Sequence, residues 1–400
     1  METIKLIEST ENGVVIGFFK TLNANNASEA EAEIVRIRED NTQGDLVFDF
    51  EGLEYISSAG LRVLLRCDKT ENKYGRKIKI INVNAGIYDI LEDTGFNRMF
   101  EVHKVLKQYS VDNLELIGQG ANGTVYRIDN ENIVKVFQKA APVETIERER
   151  MMAQEALLMG LPTAISYSVV KVDECFGIVF ELIDSDTLSH LLSSRPEDYD
   201  RYVDQYIRLY KSIHETRVNS DNFPSIKQIY YDAIEECADY YTEEELNKYR
   251  ELVAAVPETD TLIHGDFHPN NIMVQNDKLT LIDMGDMSRG HIVFDFLATA
   301  ATQSNLVKLH PEIAEGHTKM PAELIKRTWR RLIDTYFSDK SEEEKNRIEK
   351  QIDLFAKLKV GLAPAFARGL PPDFLQVNID DARETLLPYI DDLINEGIDW

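Results

Sequence analysis

The sequence is short of several features that would place it in particular protein classes. Its 400 residues include three cysteines, Cys67, Cys175 and Cys237, which are far apart and lack the paired spacing of a disulfide or metal framework. Reduced thiols and a cytoplasmic setting are therefore expected. No apolar run approaches the roughly 18 residues of a membrane span, and the charged N-terminus is unlike a signal peptide.

Positive charge is also scarce. Lys and Arg number 44 against 70 Asp and Glu, which gives a formal charge of −26. Such a chain repels phosphate backbones at long range, so neither nucleic acid nor an anionic membrane is expected as a partner. A nucleotide can still bind, because local lysines, backbone N–H groups and bound magnesium act at close range. The acidic balance favours a cationic second substrate, although solubility alone would also account for it.

The order of apolar segments indicates more than one domain. With 43% hydrophobic residues, the chain can bury real cores, and its length predicts two or three domains. Residues 1–107 alternate short apolar strands with amphipathic helices, which predicts an α/β unit whose sheet is covered on at least one face. Residues 108–112 are expected to be a short connector.

The segment GDLVFDFEGLEYISSAGLRVLL resembles the STAS domain, the anti-sigma-factor antagonist family, and the resemblance covers about the first 105 residues. In that family the residue aligned with Ser58 accepts a phosphoryl group at the start of a helix, where free N–H groups favour a dianion. The family usually has an aspartate where this chain has Ser57, and both serines could simply cap the helix. The resemblance implies a regulatory domain and a protein partner.

A glycine-rich segment follows. Gly118, Gly120 and Gly123 form a G-x-G-x-x-G pattern between two predicted strands, with Val125 two residues further on. Such a hairpin lets backbone N–H groups approach phosphate oxygens, whereas a dinucleotide-binding loop would run from a strand into a helix. Lys135, twelve residues after Gly123, lies on another predicted strand, where its ammonium could pair with phosphates. An ordinary β-meander with a solvated lysine would have the same pattern.

The segment LIHGDFHPNNIMVQNDKLTLIDMGD holds the densest set of polar residues. Asp266 and Asn271 are separated by four residues, and Asp283 lies twelve residues beyond Asn271. Two short strands joined by an Asn276–Asp277 turn would bring Asn271 and Asp283 to one end of a ribbon, where both can ligate a hard cation. Asp266, in the preceding loop, can take the proton from an attacking hydroxyl.

Two neighbouring residues in this segment, His268 and Asp286, have two alternative roles each. His264, Gly265 and His268 are expected to shape the loop, with a metal-ligand role for His268 as the alternative to hydrogen bonding. Asp286 could bind substrate or support the loop, and the pattern does not decide between the two.

The motif HGDFHPNN resembles the H-G-D-x-H-x-x-N loop of the aminoglycoside and choline phosphotransferase family, relatives of the protein kinases. The resemblance runs from about residue 113 to the end, with a mostly helical tail from Pro311. It implies an α+β, two-lobed kinase-like fold, with an N-lobe at 113–183 and a C-lobe at 184–400. It also makes Asp266 the catalytic base.

The same resemblance assigns the cofactors ATP and Mg²⁺. Asn271 and Asp283 would hold magnesium, while Lys135 and the glycine loop would hold the nucleotide. A helical glutamate would fix the lysine, with Glu149 preferred to Glu155. The backbone of Glu181 to Ile183 would be the hinge that binds adenine.

Three functions are consistent with these patterns. The first is an ATP- and magnesium-dependent phosphotransferase that acts on a hydroxyl of a small molecule and carries a regulatory STAS domain. The second is a kinase that phosphorylates Ser58 or another protein as a signalling switch. The third is a nucleotide-binding scaffold without transfer activity, although the intact set of Lys135, Asp266, Asn271 and Asp283 argues against it.

Overall fold

The computed structural model describes residues 3–10, 13–41, 44–120, 123–218, 222–367, 371–398 and 400. The chain folds into two compact units, Met1–Lys107 and Gln108–Trp400. Within the described ranges, every helix is too short or too polar to cross a lipid bilayer.

The first unit is a five-stranded sheet with helices between its strands. Its elements are β1 Ile4–Thr10, β2 Gly13–Leu22, α1 Ala27–Asp40, β3 Asp45–Ile56, α2 Ser58–Asn72, β4 Ile78–Val83, α3 Ala85–Asp93, a 3-10 turn at Phe96–Arg98, and β5 Glu101–Lys104. The strands lie in the order β1-β2-β3-β4-β5. β1 and β2 are antiparallel, and the other pairs are parallel. The α/β unit predicted for residues 1–107 is confirmed. The segments IKLIEST and GVVIGFFKTL, separated by the turn residues Asn12 and Gly13, also predict the hairpin of β1 and β2, which is present, although Asn12 lies outside the described residues.

The core of this unit is aromatic at its centre. Phe18 of β2 contacts Phe48 and Phe50 of β3 edge-to-face, each with ring centroids 5.1 Å apart. Buried aliphatic side chains of α1, α2 and α3 pack against the same cluster. The apolar faces of strand and helix therefore meet in one core, as expected for a sheet covered by its crossover helices.

The second unit begins with a six-stranded sheet. Its elements are β6 Gln108–Tyr109, a 3-10 turn at Val111–Asn113, β7 Glu115–Gln119, β8 Gly123–Arg127, β9 Asn132–Phe137, α4 Val143–Leu158, β10 Ser166–Val172 and β11 Cys175–Glu181. The strand order is β6-β10-β11-β9-β8-β7. The prediction of a plain connector at 108–112 was wrong, because Gln108 and Tyr109 pair in parallel with Lys171 and Val172 of β10.

The rest of the unit is largely helical, with short strands. The strands are β12 Asp186–Thr187, β13 Leu262–Ile263, β14 Ile272–Gln275, β15 Lys278–Leu281 and β16 Ser288–Arg289. The helices are α5 Leu188–Ser194, α6 Tyr199–Glu215, α7 Ile226–Glu236, α8 Glu243–Ala255, α9 Val293–Ala300 with a π-helical continuation Ala301–Leu306, α10 Val307–Leu309, α11 Pro311–Thr318, α12 Ala322–Tyr336, α13 Glu342–Gly361, α14 Ala363–Phe366, α15 Pro372–Thr385 and α16 Ile390–Glu396. The helical tail expected from Pro311 is confirmed.

The β14–β15 hairpin positions two of the predicted site residues. Its turn residues Asn276 and Asp277 have φ of 52° and 61°, the left-handed values that a two-residue hairpin turn requires. Ile272 pairs with Leu281 at the open end, so Asn271 and Asp283 flank the same end of the ribbon. A bond from the N–H of Ile282 to the carbonyl of Asn271, 2.9 Å long, closes that end.

Candidate active site

A cleft of about 850 Å³ lies within the second unit, between the glycine hairpin and the loops that follow β13 and β15. The structure brings almost all of the predicted site residues into this one recess. The predicted residues that line it are Gly118, Gly120, Gly123, Val125, Lys135, Glu181, Ile183, Asp266, Asn271 and Asp283. Ala121 and Asn122, in the glycine loop, lie outside the described residues. Segments distant in sequence therefore form one pocket.

Lys135 is held by two carboxylates. Its Nζ lies 2.8 Å from Glu149 Oε1 and 2.8 Å from Asp283 Oδ1. Burial opposes the charged ammonium, but the two carboxylates outweigh it and raise the pKa of Lys135 above its usual value. Glu155, the alternative partner, instead accepts a hydrogen bond from the side chain of Asn222. The two carboxylates thus favour the charged form of the ammonium and hold it at the cleft wall.

Asp283 and Gly285 are both constrained by their surroundings. Asp283 has a φ of 63°, a left-handed value that non-glycine residues seldom adopt. At Gly285, a Cβ atom would stand 2.8 Å from Glu149 Oε2. A side chain at that position would push against the carboxylate that holds Lys135. The sequence reasoning missed Gly285, although a glycine two residues after a predicted metal-binding aspartate was a visible signal.

Asp266 receives polar groups on both of its carboxylate oxygens. Asn271 donates its side-chain N–H to Oδ2 at 3.1 Å and to the Asp266 carbonyl at 3.0 Å. His268 Nε2 lies 3.4 Å from Oδ2, and His317 Nε2 lies 3.4 Å from Oδ1. Burial by itself would raise the pKa of Asp266, but the two histidines outweigh it and hold the pKa well below its usual value. Asp266 is therefore ionised, the state that a proton acceptor requires.

Asp295, at the start of α9, anchors the loop that carries Asp266. It is fully buried, and its carboxylate accepts hydrogen bonds from the backbone N–H of His264 at 3.0 Å and of Gly265 at 2.9 Å. His214 Nε2 lies 3.0 Å from the same carboxylate. Burial would raise the pKa of Asp295, yet these partners hold it below its usual value. An aspartate inside the apolar run IVFDFLATA was the available sequence signal, and it was missed.

Aromatic packing fixes the next residue of the loop. The ring of Phe267 stacks against Tyr206 and Tyr210 of α6, each with centroids 4.5 Å apart. The Phe267 carbonyl accepts hydrogen bonds from Tyr206 Oη at 3.3 Å and Gln303 Nε2 at 3.2 Å. Asp266 is therefore flanked on both sides by backbone that is bonded to the helical core, which limits its movement.

Gly265 is the tightest point of the loop. It has a φ of 81°, and a Cβ there would stand 2.5 Å from the carbonyl oxygen of Asp286. Lys359 of α13 donates to the Gly265 carbonyl at 3.0 Å. The backbone of Asp286 therefore lies directly beside Gly265, and the choice between a substrate-binding and a supporting role for Asp286 stays open. Part of the Asp286 side chain is exposed to solvent. The loss of solvation on its inner side and, after it, the nearby negative charge of Asp266 raise the pKa of Asp286 to about 6.

The predicted hinge lies at the far end of the cleft. The backbone N–H of Glu181 donates to the carbonyl of Ile165, and Glu181 Oε1 accepts from the Ile165 N–H at 2.8 Å. Leu182 bonds to the carbonyl of Glu131 at 2.7 Å. Glu181, Leu182 and Ile183 all line the cleft. The adenine-binding role of this segment stays a prediction.

Ser58 belongs to the first unit and is described there alone. Ser57 occupies the N-cap of α2, and its hydroxyl accepts a hydrogen bond from the Ala59 N–H at 3.2 Å. Ser58 is the first residue of the helix and is exposed. Its hydroxyl makes no hydrogen bond to any other described residue. The capping role predicted for either serine therefore falls to Ser57.

The donor set fits a hard divalent cation beside a phosphate chain. Because the Asn271 amide nitrogen is used by Asp266, its amide oxygen is left to act as a ligand. Asp283 contributes carboxylate oxygens, one of which contacts Lys135. Oxygen ligands with an adjacent ammonium are what Mg²⁺ and nucleotide phosphates need.

A family model described as the phosphotransferase enzyme family matches residues 113–332, more than half of the chain. The chain belongs to this family. It is therefore a phosphotransferase, as the HGDFHPNN motif predicted. The α+β architecture predicted for its second unit is confirmed by the six-stranded sheet and the largely helical part that follows it. A STAS domain model matches residues 5–109 of this phosphotransferase, which confirms the predicted character of the first unit.

One relative and several solved structures are similar to parts of the chain. BtrV of Bordetella bronchiseptica, described as a proposed anti-sigma factor antagonist, is 30% identical over 100 residues, which are 25% of this chain and 85% of BtrV. The gentamicin complex of APH(2'')-IIa is 17% identical, with a TM-score of 0.48, and covers 77% of this chain and 99% of its own. A choline/ethanolamine kinase family protein from Mesorhizobium loti is 14% identical, with a TM-score of 0.45, and covers 71% of this chain and 92% of its own. These structures are similar in chain path only.

Proposed function

We propose that this phosphotransferase uses ATP and Mg²⁺ to move the γ-phosphoryl group onto a hydroxyl of a small molecule, under the control of its STAS domain. The observation that carries the proposal is the convergence of Lys135, Asp266, Asn271 and Asp283 on one cleft. The division of the second unit into an N-lobe at 113–183 and a C-lobe at 184–400 is part of the proposal. So is a cytoplasmic setting, which fits its three free cysteines.

Each of the four residues has a chemical role in this proposal. Lys135, held in place by Glu149, would bind the phosphates of ATP, and the glycine hairpin would cover them. Asn271 and Asp283 would hold magnesium, which would neutralise the phosphate charge. Asp266 would accept the proton as the acceptor oxygen forms its bond to the γ-phosphorus and the bond to the bridging β–γ oxygen breaks. The anchoring of the loop by Asp295 supports this role, because a base must be held within hydrogen-bond reach.

The acceptor is proposed as a hydroxyl compound that bears an amine. The support is the acidic balance of the chain and two carboxylates, Asp266 and Asp286, that lie against the same loop. Aminoglycosides and choline, named for the similar proteins, belong to this chemical class.

The test is transfer of labelled γ-phosphate from ATP to panels of amino sugars, amino alcohols and sugar alcohols. We expect label in an acceptor only when magnesium is present, and Asp266→Asn should abolish it while nucleotide binding remains. Asp334→Asn, which alters a partly exposed carboxylate of the same unit, is the matched control. Label that accumulates equally in the Asp266→Asn variant would refute the assignment of the base.

A second candidate function is phosphorylation of the chain's own STAS domain. The favouring observation is that Ser57 caps α2, which leaves the Ser58 hydroxyl exposed at the positive end of the helix. Intact mass after incubation with magnesium and ATP, without an acceptor, tests it. A gain of one phosphate that Ser58→Ala removes and Ser57→Ala retains would put this function first, whereas no gain would remove it.

A further inference from the structure

A second set of ligand atoms surrounds the catalytic carboxylate. Asp266 Oδ2 lies 3.4 Å from His268 Nε2, and Asp266 Oδ1 lies 3.4 Å from His317 Nε2. The imidazole rings of the two histidines have centroids 4.3 Å apart. One ligand atom from each of the three residues falls within 4.8 Å of the other two. The three side chains therefore lie together at one place in the cleft.

Two of the distances are those of neighbouring ligands in a tetrahedral transition-metal site. Nitrogen and carboxylate ligands lie about 2.0–2.2 Å from zinc, so tetrahedral coordination separates the ligand atoms by about 3.3–3.6 Å. Both measured distances, 3.4 Å, fall in that range, and they involve the two oxygens of a single carboxylate. Because the two distances reach different oxygens, a shared ion requires the exposed side chain of His317 to move toward Oδ2. Two imidazole nitrogens with one carboxylate suit zinc-like ions, whereas magnesium prefers oxygen ligands.

Among the described residues, the ring of His317 contacts only the loop that carries Asp266. His317 stands in the last turn of α11, and its side chain is 39% exposed, so an ion can reach it from the cleft. Its ring makes no polar contact with a described residue other than Asp266. His268 is buried, and its Nδ1 has no hydrogen-bond partner among the described residues. Neither ring is thus committed elsewhere, and each leaves Nε2 directed at Asp266.

We propose that Asp266, His268 and His317 form a second metal site, which takes a zinc-like transition ion and inhibits the enzyme when it is filled. The inhibition has a direct cause, because a carboxylate that ligates a transition ion cannot also accept the proton of the acceptor hydroxyl. The site is distinct from the proposed magnesium ligands, Asn271 and Asp283. The existence of the site is independent of the proposed function, and only its inhibitory effect rests on that function.

The site is tested by titrating the full chain with Co²⁺, in the absence of nucleotide, and recording the visible absorption of tetrahedral cobalt. We expect one ion per chain with a tetrahedral spectrum, displaced by Zn²⁺. His317→Ala should weaken binding by at least about 10–100-fold, the loss that even outer partners of a metal site cause. His317 carries the test because it is exposed, whereas substitution of the buried His268 could disturb the loop.

Two variants serve as controls. His103→Ala removes another partly exposed histidine that lies beside a carboxylate, with Nε2 2.8 Å from Glu101 Oε1, but that pair has no third ligand in the described structure. Asp283→Asn alters a proposed magnesium ligand. Both should leave the cobalt spectrum and affinity in place. Absence of a tetrahedral spectrum, or an affinity that His317→Ala does not change, would overturn the proposal.

The proposed inhibition by the bound ion is tested separately, by measuring enzyme activity. Micromolar Zn²⁺ should stop phosphoryl transfer, a chelator should restore it, and His317→Ala should move the inhibition midpoint upward by the same factor as the binding constant. If phosphoryl transfer continues when Zn²⁺ fills the site that binds Co²⁺, the proposed inhibition is wrong. Should the enzyme transfer no phosphate under any condition, the cobalt titration would still decide the metal site, so the two failures are distinguishable.

Discussion

The buried carboxylate of Asp295 gives the sharpest test of how the loop that carries Asp266 is held. It accepts three hydrogen bonds, from His264 N, His214 Nε2 and Gly265 N, between 2.9 and 3.0 Å long. Oδ2 takes two of the three donors and Oδ1 takes one. In Asp295→Asn, the single amide oxygen keeps at most two contacts, and the amide N–H group must face the third donor.

The expected loss of folding free energy follows from this count of hydrogen bonds. An unsatisfied buried donor costs about 1–3 kcal/mol. Replacing two charge-assisted bonds by neutral ones costs about 1 kcal/mol each, since the charged bonds are roughly twice as strong. The sum is about 3–5 kcal/mol, in the range of a broken buried pair. At roughly 2–4 °C per kcal/mol for large domains, the unfolding temperature of the second unit should fall by about 6–20 °C.

Calorimetry and slow ATP hydrolysis are the assays for this variant. Hydrolysis should fall by about 10²-fold, the cost of roughly 1 Å of misplacement at a catalytic group. The control is Asp334→Asn, whose carboxylate is partly exposed and lies 3.3 Å from Arg330, and which should change stability by at most about 1 kcal/mol. Equal unfolding temperatures and rates for Asp295→Asn and the wild type would refute the anchoring role.

Three further substitutions separate the parts of the site. Asp266→Asn should lower the rate of transfer by about 10²–10⁴-fold with little change in nucleotide affinity, and a wild-type rate would exclude it as the base. Gly285→Ala should weaken nucleotide binding, because its Cβ would stand 2.8 Å from Glu149 Oε2; calorimetric titration with ATP measures this, and an unchanged affinity would contradict it. Lys359→Met should slow transfer, because it removes the hydrogen bond to the Gly265 carbonyl, whereas Lys359→Arg should retain most of the rate. Wild-type rates in both variants would show that this hydrogen bond is dispensable.

Residues that act through local geometry were predictable from the sequence. The Asn276–Asp277 turn sets the register of the β14–β15 hairpin, so the placing of Asn271 and Asp283 at one end followed from sequence distance alone. The choice of Glu149 over Glu155 came from family resemblance, and the contact with Lys135 is present in the structure. The chemical roles of these residues stay predictions until they are measured.

Other features could not be predicted because they depend on contacts between distant segments. The strand pairing of Gln108 and Tyr109 was missed, since a two-residue strand has no periodicity of its own and forms only where β10 offers an edge. His317 and Lys359 lie in helices that contain no recognisable motif, 51 and 93 residues after Asp266 in the sequence. Only the packing of α11 and α13 brings these two side chains to the loop that carries Asp266.

The sequence by itself determined the two kinds of domain, the reaction class and the polar groups that chemistry requires, because these depend on short motifs whose spacing fixes local geometry. Tertiary structure alone decided which buried carboxylate anchors the loop and which histidines meet at Asp266. Those outcomes depend on burial and on which donor comes within about 3 Å of which acceptor. Distances of that kind are set by the packing of whole helices and sheets, and no local pattern of residues encodes them.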